Sequence, residues 1–201
     1  MSTQAPGLVS LPLDAPVWEK FASVAPLVLV SSKDPDGGVD IAPKHLAMPV
    51  SWQNWFGFVC APTHTTYRNI EATKEFTVGF PTPHMVLYTS LAAAPRDSDG
   101  GKPTLDLLGT YPATEVDGVL VEGCRVHLEC RLDRVIEDLG ENVLIIGKVV
   151  AAHVAEESLR SSDTDDHDLI NESPLLAYIH PGRVAQIKDT QSFPYHKGFR
   201  R

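Results

Sequence analysis

The residues with the most to offer chemically stand in APTHTTYRNIEATKEFTVGFP, Ala61 to Pro81. His64, Thr65 and Thr66 crowd the entrance of a short predicted helix, and Arg68 and Asn69 follow one turn in. The first amides of a helix have no intrahelical acceptor, and the helix dipole favours negative charge there. Two hydroxyls, free amides and an arginine at that point are the parts of a phosphate site. The same threonines are also ordinary capping residues, able to satisfy those amides with no ligand at all. Residue types and spacing leave both readings open.

Other chemistry is harder to find. His45, His64 and His84 with Cys60 are metal-ligand types, but none has the spacing that makes a zinc site specific, and no metal is expected. Cys60 reads first as a buried strand residue. The chain has no G-x-G-x-x-G after a strand, no phosphate loop, no H-E-x-x-H, no C-x-x-C and no nucleophile elbow. If the chain is an enzyme, a bound cofactor must bring the reactive chemistry.

Composition narrows the partners. A formal net charge of -9 over 201 residues argues against nucleic acid. No apolar run approaches the roughly 20 residues needed to cross a bilayer, and MSTQAPGLVSLPLDAP lacks the basic start and apolar run of a signal peptide. Three cysteines do not suggest a disulfide framework, and Cys124 and Cys130 lie roughly 20 Å apart on one predicted strand. A cytoplasmic protein with no membrane partner is the expectation.

The elements that must position these residues are mostly strands. LVLVSS (Leu27 to Ser32), the turn DPDGG (Asp34 to Gly38) and VDIAP form a hairpin. FGFVCAP (Phe56 to Pro62) is a second buried strand. After the helix, Phe76, Val78 and Phe80 alternate with Glu75, Thr77 and Gly79. HMVLYTSLAAA (His84 to Ala94) is compatible with a helix, and PRDSDGGKP (Pro95 to Pro103) reads as loop. In CRVHLECRLD, Cys124, Val126, Leu128, Cys130 and Leu132 share one face; Arg125, His127, Glu129, Arg131 and Asp133 share the other, which should be wet. A turn at Gly140–Glu141–Asn142 leads into VLIIGKVVAAHV, apolar on both faces and expected to be deeply buried, and the acidic SSDTDDHD (Ser161 to Asp168) should be a solvated loop. Strands joined by hairpins, with few helices, predict a mainly antiparallel barrel in one domain.

Four of these segments, in order, resemble the flavin reductase-like, FMN-binding split-barrel family. LVLVSSKDPDGGVDIAPKHLA is similar to its opening hairpin, and APTHTTYRNIEATKEFTVGFP to its His-Thr-x-x-Asn-Ile helix and following strand. GCRVHLECRLDRVIE and NVLIIGKVV resemble its later Leu-Glu-Cys strand and that strand's partner. Asp40 stands where the family commonly has Asn, His45 where it has a small residue, Lys74 where it has Gly, and Gly79 where it has Asn.

The resemblance implies a mainly β fold, an antiparallel split β-barrel of Greek-key type with a few short helices. The barrel would span residues 24–187, between an extended segment 1–23 and an arm 188–201. It implies FMN, with Ala42, Pro43, Lys44 and His45 bordering the ring beside Cys60, Ala61 and Pro62. His64, Thr65, Thr66 and Asn69 would surround the phosphate and ribityl chain, with Arg68 adding charge. On type alone Lys44 reads equally as a solvated charge and His45 as an ordinary loop histidine. His180, Phe193 and Tyr195 would either edge the flavin or belong to an arm covering a barrel edge, the second being favoured.

The implied function is an FMN-dependent NAD(P)H:flavin oxidoreductase, passing hydride from the nicotinamide to flavin N5 and on to a second flavin, oxygen or another acceptor. A homodimer is implied, with VLIIGKVVAAHV as candidate interface, and a monooxygenase supplied with reduced flavin is the kind of partner expected. The rival readings are a non-catalytic FMN electron carrier, a split-barrel relative binding haem or pyridoxal phosphate, and a flavin-free interaction module.

Overall fold

The computed structural model describes residues 7–98 and 100–198. Residues 1–6 of the expected extended N-terminal segment, Asp99 of the predicted loop and residues 199–201 of the arm lie outside the described residues.

Among the described residues, twelve strands and three α-helices follow the order β1 (Ser23–Pro26), β2 (Val28–Lys33), β3 (Val39–Lys44), β4 (Ala47–Pro49), β5 (Trp55–Cys60), α1 (Thr65–Thr73), β6 (Glu75–Pro81), α2 (Val86–Leu91), β7 (Thr110–Pro112), β8 (Val119–Val121), β9 (Cys124–Leu139), β10 (Asn142–Val154), α3 (Asp166–Glu172), β11 (Leu175–His180) and β12 (Arg183–Ile187). Seven strands make one curled antiparallel sheet in the order β3-β2-β6-β9-β10-β5-β4, while β1-β11-β12 and β7-β8 form two smaller sheets. The fold is mainly β, a split barrel.

The predicted hairpin is β2–β3, paired from Val28↔Lys44 to Lys33↔Val39. Asp34 closes its turn, accepting from the amides of Asp36 and Gly38. The apolar run of β2 is continuous because both of its faces are covered. Val28 and Val30 enter the barrel core with Phe56, Phe58, Phe76, Val78, Cys130, Val143 and Ile145. Leu29, pointing the other way, packs with Ile41, Met85, Ala92, Leu108, Val121 and Cys124. That second layer sets the end of α2 over β3, which later forms one wall of the site. Packing inside the barrel is close: a Cβ on Gly147 would lie 2.5 Å from the Phe76 ring, so β10 can cross there only as glycine.

Helix α1 ends at Lys74, whose φ of 64° places it in the left-handed region that favours glycine. The family's usual Gly at this position therefore has a conformational reason.

Three expectations need correction. The wet face of β9 fails at Glu129, which is fully buried. The loop preceding β8 folds back over it, so the carboxylate accepts from the amides of Thr114, Glu115 and Val116, the Thr114 hydroxyl and His153. Strand β10 is not buried on both faces: Val143, Ile145 and Gly147 are buried, but Leu144, Ile146, Val149 and Val150 are only half covered and Val154 is exposed. The acidic loop is partly helical, since α3 starts at Asp166 with the Asp165 carboxylate accepting from the His167 amide. Two carboxylates in its first turn favour that start by complementing the helix dipole.

Candidate functional site

A cavity of about 450 Å³ opens where three walls meet. Asp40, Ala42 and Pro43 come from β3, and Thr63 to Thr66 from the turn into α1; Ala92 to Ala94, Pro95, Arg96 and Lys102 come from the end of α2 and the loop beyond it.

At the helix entrance the structure answers the capping half of the question. His64 is the N-cap residue, and its side chain makes no capping bond. Neither threonine caps the helix, because they occupy its first two helical positions. The Thr66 hydroxyl donates to Asp40 Oδ2 at 3.0 Å, and Thr65 Oγ1 accepts from Arg68 at 3.3 Å. The Tyr67 amide is taken by the Cys60 sulfur. Thr65 and Thr66 line the cavity at the positive end of the helix dipole.

Asp40 ties the walls together. It is 3% exposed; Arg96 donates to its Oδ1 at 2.8 Å, and the Lys102 ammonium stands 3.6 Å from the same oxygen while donating to the Ile41 carbonyl at 2.9 Å. Burial lowers the pKa of Lys102, against the opposing pull of Asp40. His64 is likewise lowered, by burial first and then by Lys44, against the opposing pull of Asp40.

Of the residues the resemblance nominated, the structure brings Ala42, Pro43, His64, Thr65 and Thr66 to the cavity wall. Arg68 stands beside it through Thr65. Asn69 is not among the cavity-lining residues: it is buried on the inner face of α1 and donates to Ser32 Oγ at 3.2 Å. Helical spacing carried that signal, since Thr66, Asn69 and Ile70 share one face and all three are buried. Lys44, Cys60, Ala61 and Pro62 lie outside the cavity lining. Lys44 is not simply a solvated charge, because its ammonium approaches Cys60 Sγ at 3.5 Å, and that sulfur lies 3.8 Å from His64 Nδ1. Burial pushes the Cys60 thiol up even against Lys44.

His45 stacks on Tyr178 at 4.4 Å and meets His180 edge-on at 4.6 Å, making an aromatic cluster between β3–β4 and β11. Burial, His180 and Lys44 all lower its pKa. Phe193 and Tyr195 pack on each other beside α3, lining a different cavity with Asp165 and His167. His84 lines a third cavity with Met85 and Tyr88, and the described residues contain no cluster of metal-ligating side chains.

Thr63, Arg96, Lys102 and Ala92 to Ala94 were missed from sequence. Arg96 and Lys102 sit in a stretch with only loop character, and no local pattern announces that Asp40 holds them.

The donor set suits an anion. Arg96 and Lys102 against Asp40 leave one net positive charge, Arg68 lies at the rim, and the α1 amides add partial positive charge.

The match to the flavin reductase-like domain model extends over residues 22–186, and the chain belongs to that family, which is one of flavin-related oxidoreductases. An uncharacterized protein of Methanothermobacter thermautotrophicus is 31% identical over 157 residues, 75% of this chain and 73% of that one. Among solved structures, nitrilotriacetate monooxygenase component B from Bacillus cereus superposes with a TM-score of 0.79 at 17% identity, covering 94% of this chain and 100% of that one. Flavoredoxin of Desulfovibrio vulgaris gives 0.76 at 20% identity, covering 95% and 100%. A protein with a split barrel domain from Shewanella frigidimarina gives 0.74 at 14% identity, covering 86% and 87%. These likenesses establish the fold. No helix among the described residues is long and apolar enough to cross a membrane.

Proposed function

We propose that the chain is an FMN-binding NAD(P)H-dependent oxidoreductase of the flavin reductase type. The observation that carries this is the cationic cavity at the start of α1, in a chain whose family is flavin-linked. Its donors fit the phosphate end of FMN: Arg96, Lys102 and Arg68 supply charge, and Thr65 and Thr66 supply hydroxyls beside helix-start amides. Ala92, Ala93 and Ala94 keep the opposite wall low, because their side chains stop at Cβ. The backbone of Ala42 and Pro43, with His45 and Cys60 to Pro62 beyond, would border the ring.

When bound, FMN supplies an acceptor for hydride from NAD(P)H at N5 and a donor to a second flavin, oxygen or another acceptor. The protein's own part is to bind and orient. Cys60 is buried with a raised pKa and is therefore a poor nucleophile, and none of the reading requires a side-chain acid or base. A monooxygenase consuming the reduced flavin fits this reading, which the fold match to a monooxygenase component supports.

A homodimer is also proposed. Val9, Leu13, Trp18, Met48 and Trp52 are large apolar side chains more than half exposed, and the outer face of β10 is half covered; a second copy seated on such surface would take it out of water. Light scattering should return twice the 21.9 kDa chain mass. Stopped-flow mixing of the FMN-loaded protein with NADH and NADPH tests the oxidoreductase. Rapid loss of flavin absorbance with one of them is expected. A flavin that neither nucleotide reduces would indicate an electron carrier instead.

A further inference from the structure

One carboxylate serves two cations inside the cavity wall. Asp40 Oδ1 faces Arg96 at 2.8 Å and Lys102 at 3.6 Å, and its Oδ2 is held by the Thr66 hydroxyl. The side chains of Asp40 and Lys102 are 5% and 7% exposed, and that of Arg96 is 32% exposed. Water screens such charges poorly, so the two cations would repel each other without a counter-ion. Asp40 thereby holds the two together, beside the separate bonds of Arg96 to the Gly100 carbonyl at 2.8 Å and of Lys102 to the Ile41 carbonyl. Its charge has a second effect, because any anion entering the cavity meets the same two cations and is repelled by Asp40.

We infer that Asp40 is the residue that sets how tightly this site holds a phosphate group: it positions Arg96 and Lys102 but competes with the ligand for them. The inference rests on the flavin reading for the identity of the ligand and deepens it. A site with this built-in competitor releases a phosphorylated flavin more readily than two uncompensated cations would, as suits a flavin that is exchanged rather than permanently held. Riboflavin, which lacks the phosphate, should be indifferent to Asp40.

The test is Asp40→Asn, which removes the charge while keeping the shape, an acceptor oxygen for Arg96 and an NH₂ group that donates to the Thr66 hydroxyl once that hydroxyl turns. A unit charge acting across roughly 10 Å at an effective dielectric near 20 changes an equilibrium by about tenfold per charge on the anion. By calorimetry at low salt, the variant should bind inorganic phosphate and FMN about tenfold or more tighter than wild type, with riboflavin affinity unchanged. Added salt should narrow the gap. Phosphate affinity that is unchanged or weaker in the variant overturns the inference and leaves Asp40 a purely structural tie. If Asp40→Asn does not fold, Arg96→Ala takes its place. With Asp40 then opposed by Lys102 alone, phosphate affinity should fall about tenfold with little change in melting temperature, and an unchanged affinity overturns the competition. The two readings fail separately: phosphate tightening in Asp40→Asn without FMN binding by either protein keeps the counter-ion role and removes the flavin.

Discussion

Replacing Glu129 by Gln should destabilise the fold in a way that depends on pH. Burial alone would raise this carboxyl, but the Thr114 and Glu115 amides, His153 and the Thr114 hydroxyl outweigh it and hold the pKa at about 2, against an ordinary 4.5. At about 1.4 kcal/mol per unit, that difference corresponds to roughly 3 kcal/mol of stability. Because the folded value is depressed, this stability is fully present above about pH 4.5 and is lost as pH falls towards 2. The Glu129→Gln side chain would keep one acceptor oxygen but turn an NH₂ group towards donors that now meet a carboxylate. At neutral pH the variant should lose about 3 kcal/mol or more, or roughly 6–12 °C in melting temperature for a domain of this size. Thermal melts of both proteins between pH 7 and pH 2 measure it, and the two curves should converge as the wild type is protonated. A melting-temperature gap that stays constant across that range would refute the reasoning.

Other consequences are local. Thr65→Ala should weaken FMN about ten- to a hundredfold by removing a hydrogen bond to a charged group, while leaving riboflavin alone; equal loss for both flavins would remove Thr65 from the phosphate site. Lys74→Gly should raise stability by about 1 kcal/mol in denaturant titration, because it relieves a left-handed non-glycine residue at the end of α1. His45→Gln should flatten the stability profile below neutral pH. Burial, His180 and Lys44 lower the His45 pKa, so the unfolded chain binds its proton more readily, and stability is lost as pH falls from about 6.5 through the lowered folded value.

What the sequence disclosed were features set by near neighbours. The hairpin turn is fixed by Asp34 and two amides within four residues of it, and α1 by its own spacing. What escaped depended on distant contacts. Glu129 looks solvated on its strand because its amide partners sit 13 to 15 residues earlier, in a loop with no pattern of its own, and His153 lies 24 residues later. Arg96 enters the site through Asp40, 56 positions away. The half-covered outer face of β10 has the same origin, since an apolar residue does not say whether its own chain or a second copy covers it. At the helix entrance, residue types singled out Thr65 and Thr66, which line the cavity, but did not disclose that Thr66 is engaged by Asp40 and Asn69 by Ser32.

The most direct measurement is a titration of the purified apoprotein with FMN and, in parallel, with riboflavin, followed by flavin fluorescence. Saturable binding of FMN, with riboflavin at least about tenfold weaker for want of the charged contacts, is the result predicted. Equal affinities would contradict the placement of the phosphate at the start of α1, and no FMN binding at any attainable concentration would contradict the flavin reading itself.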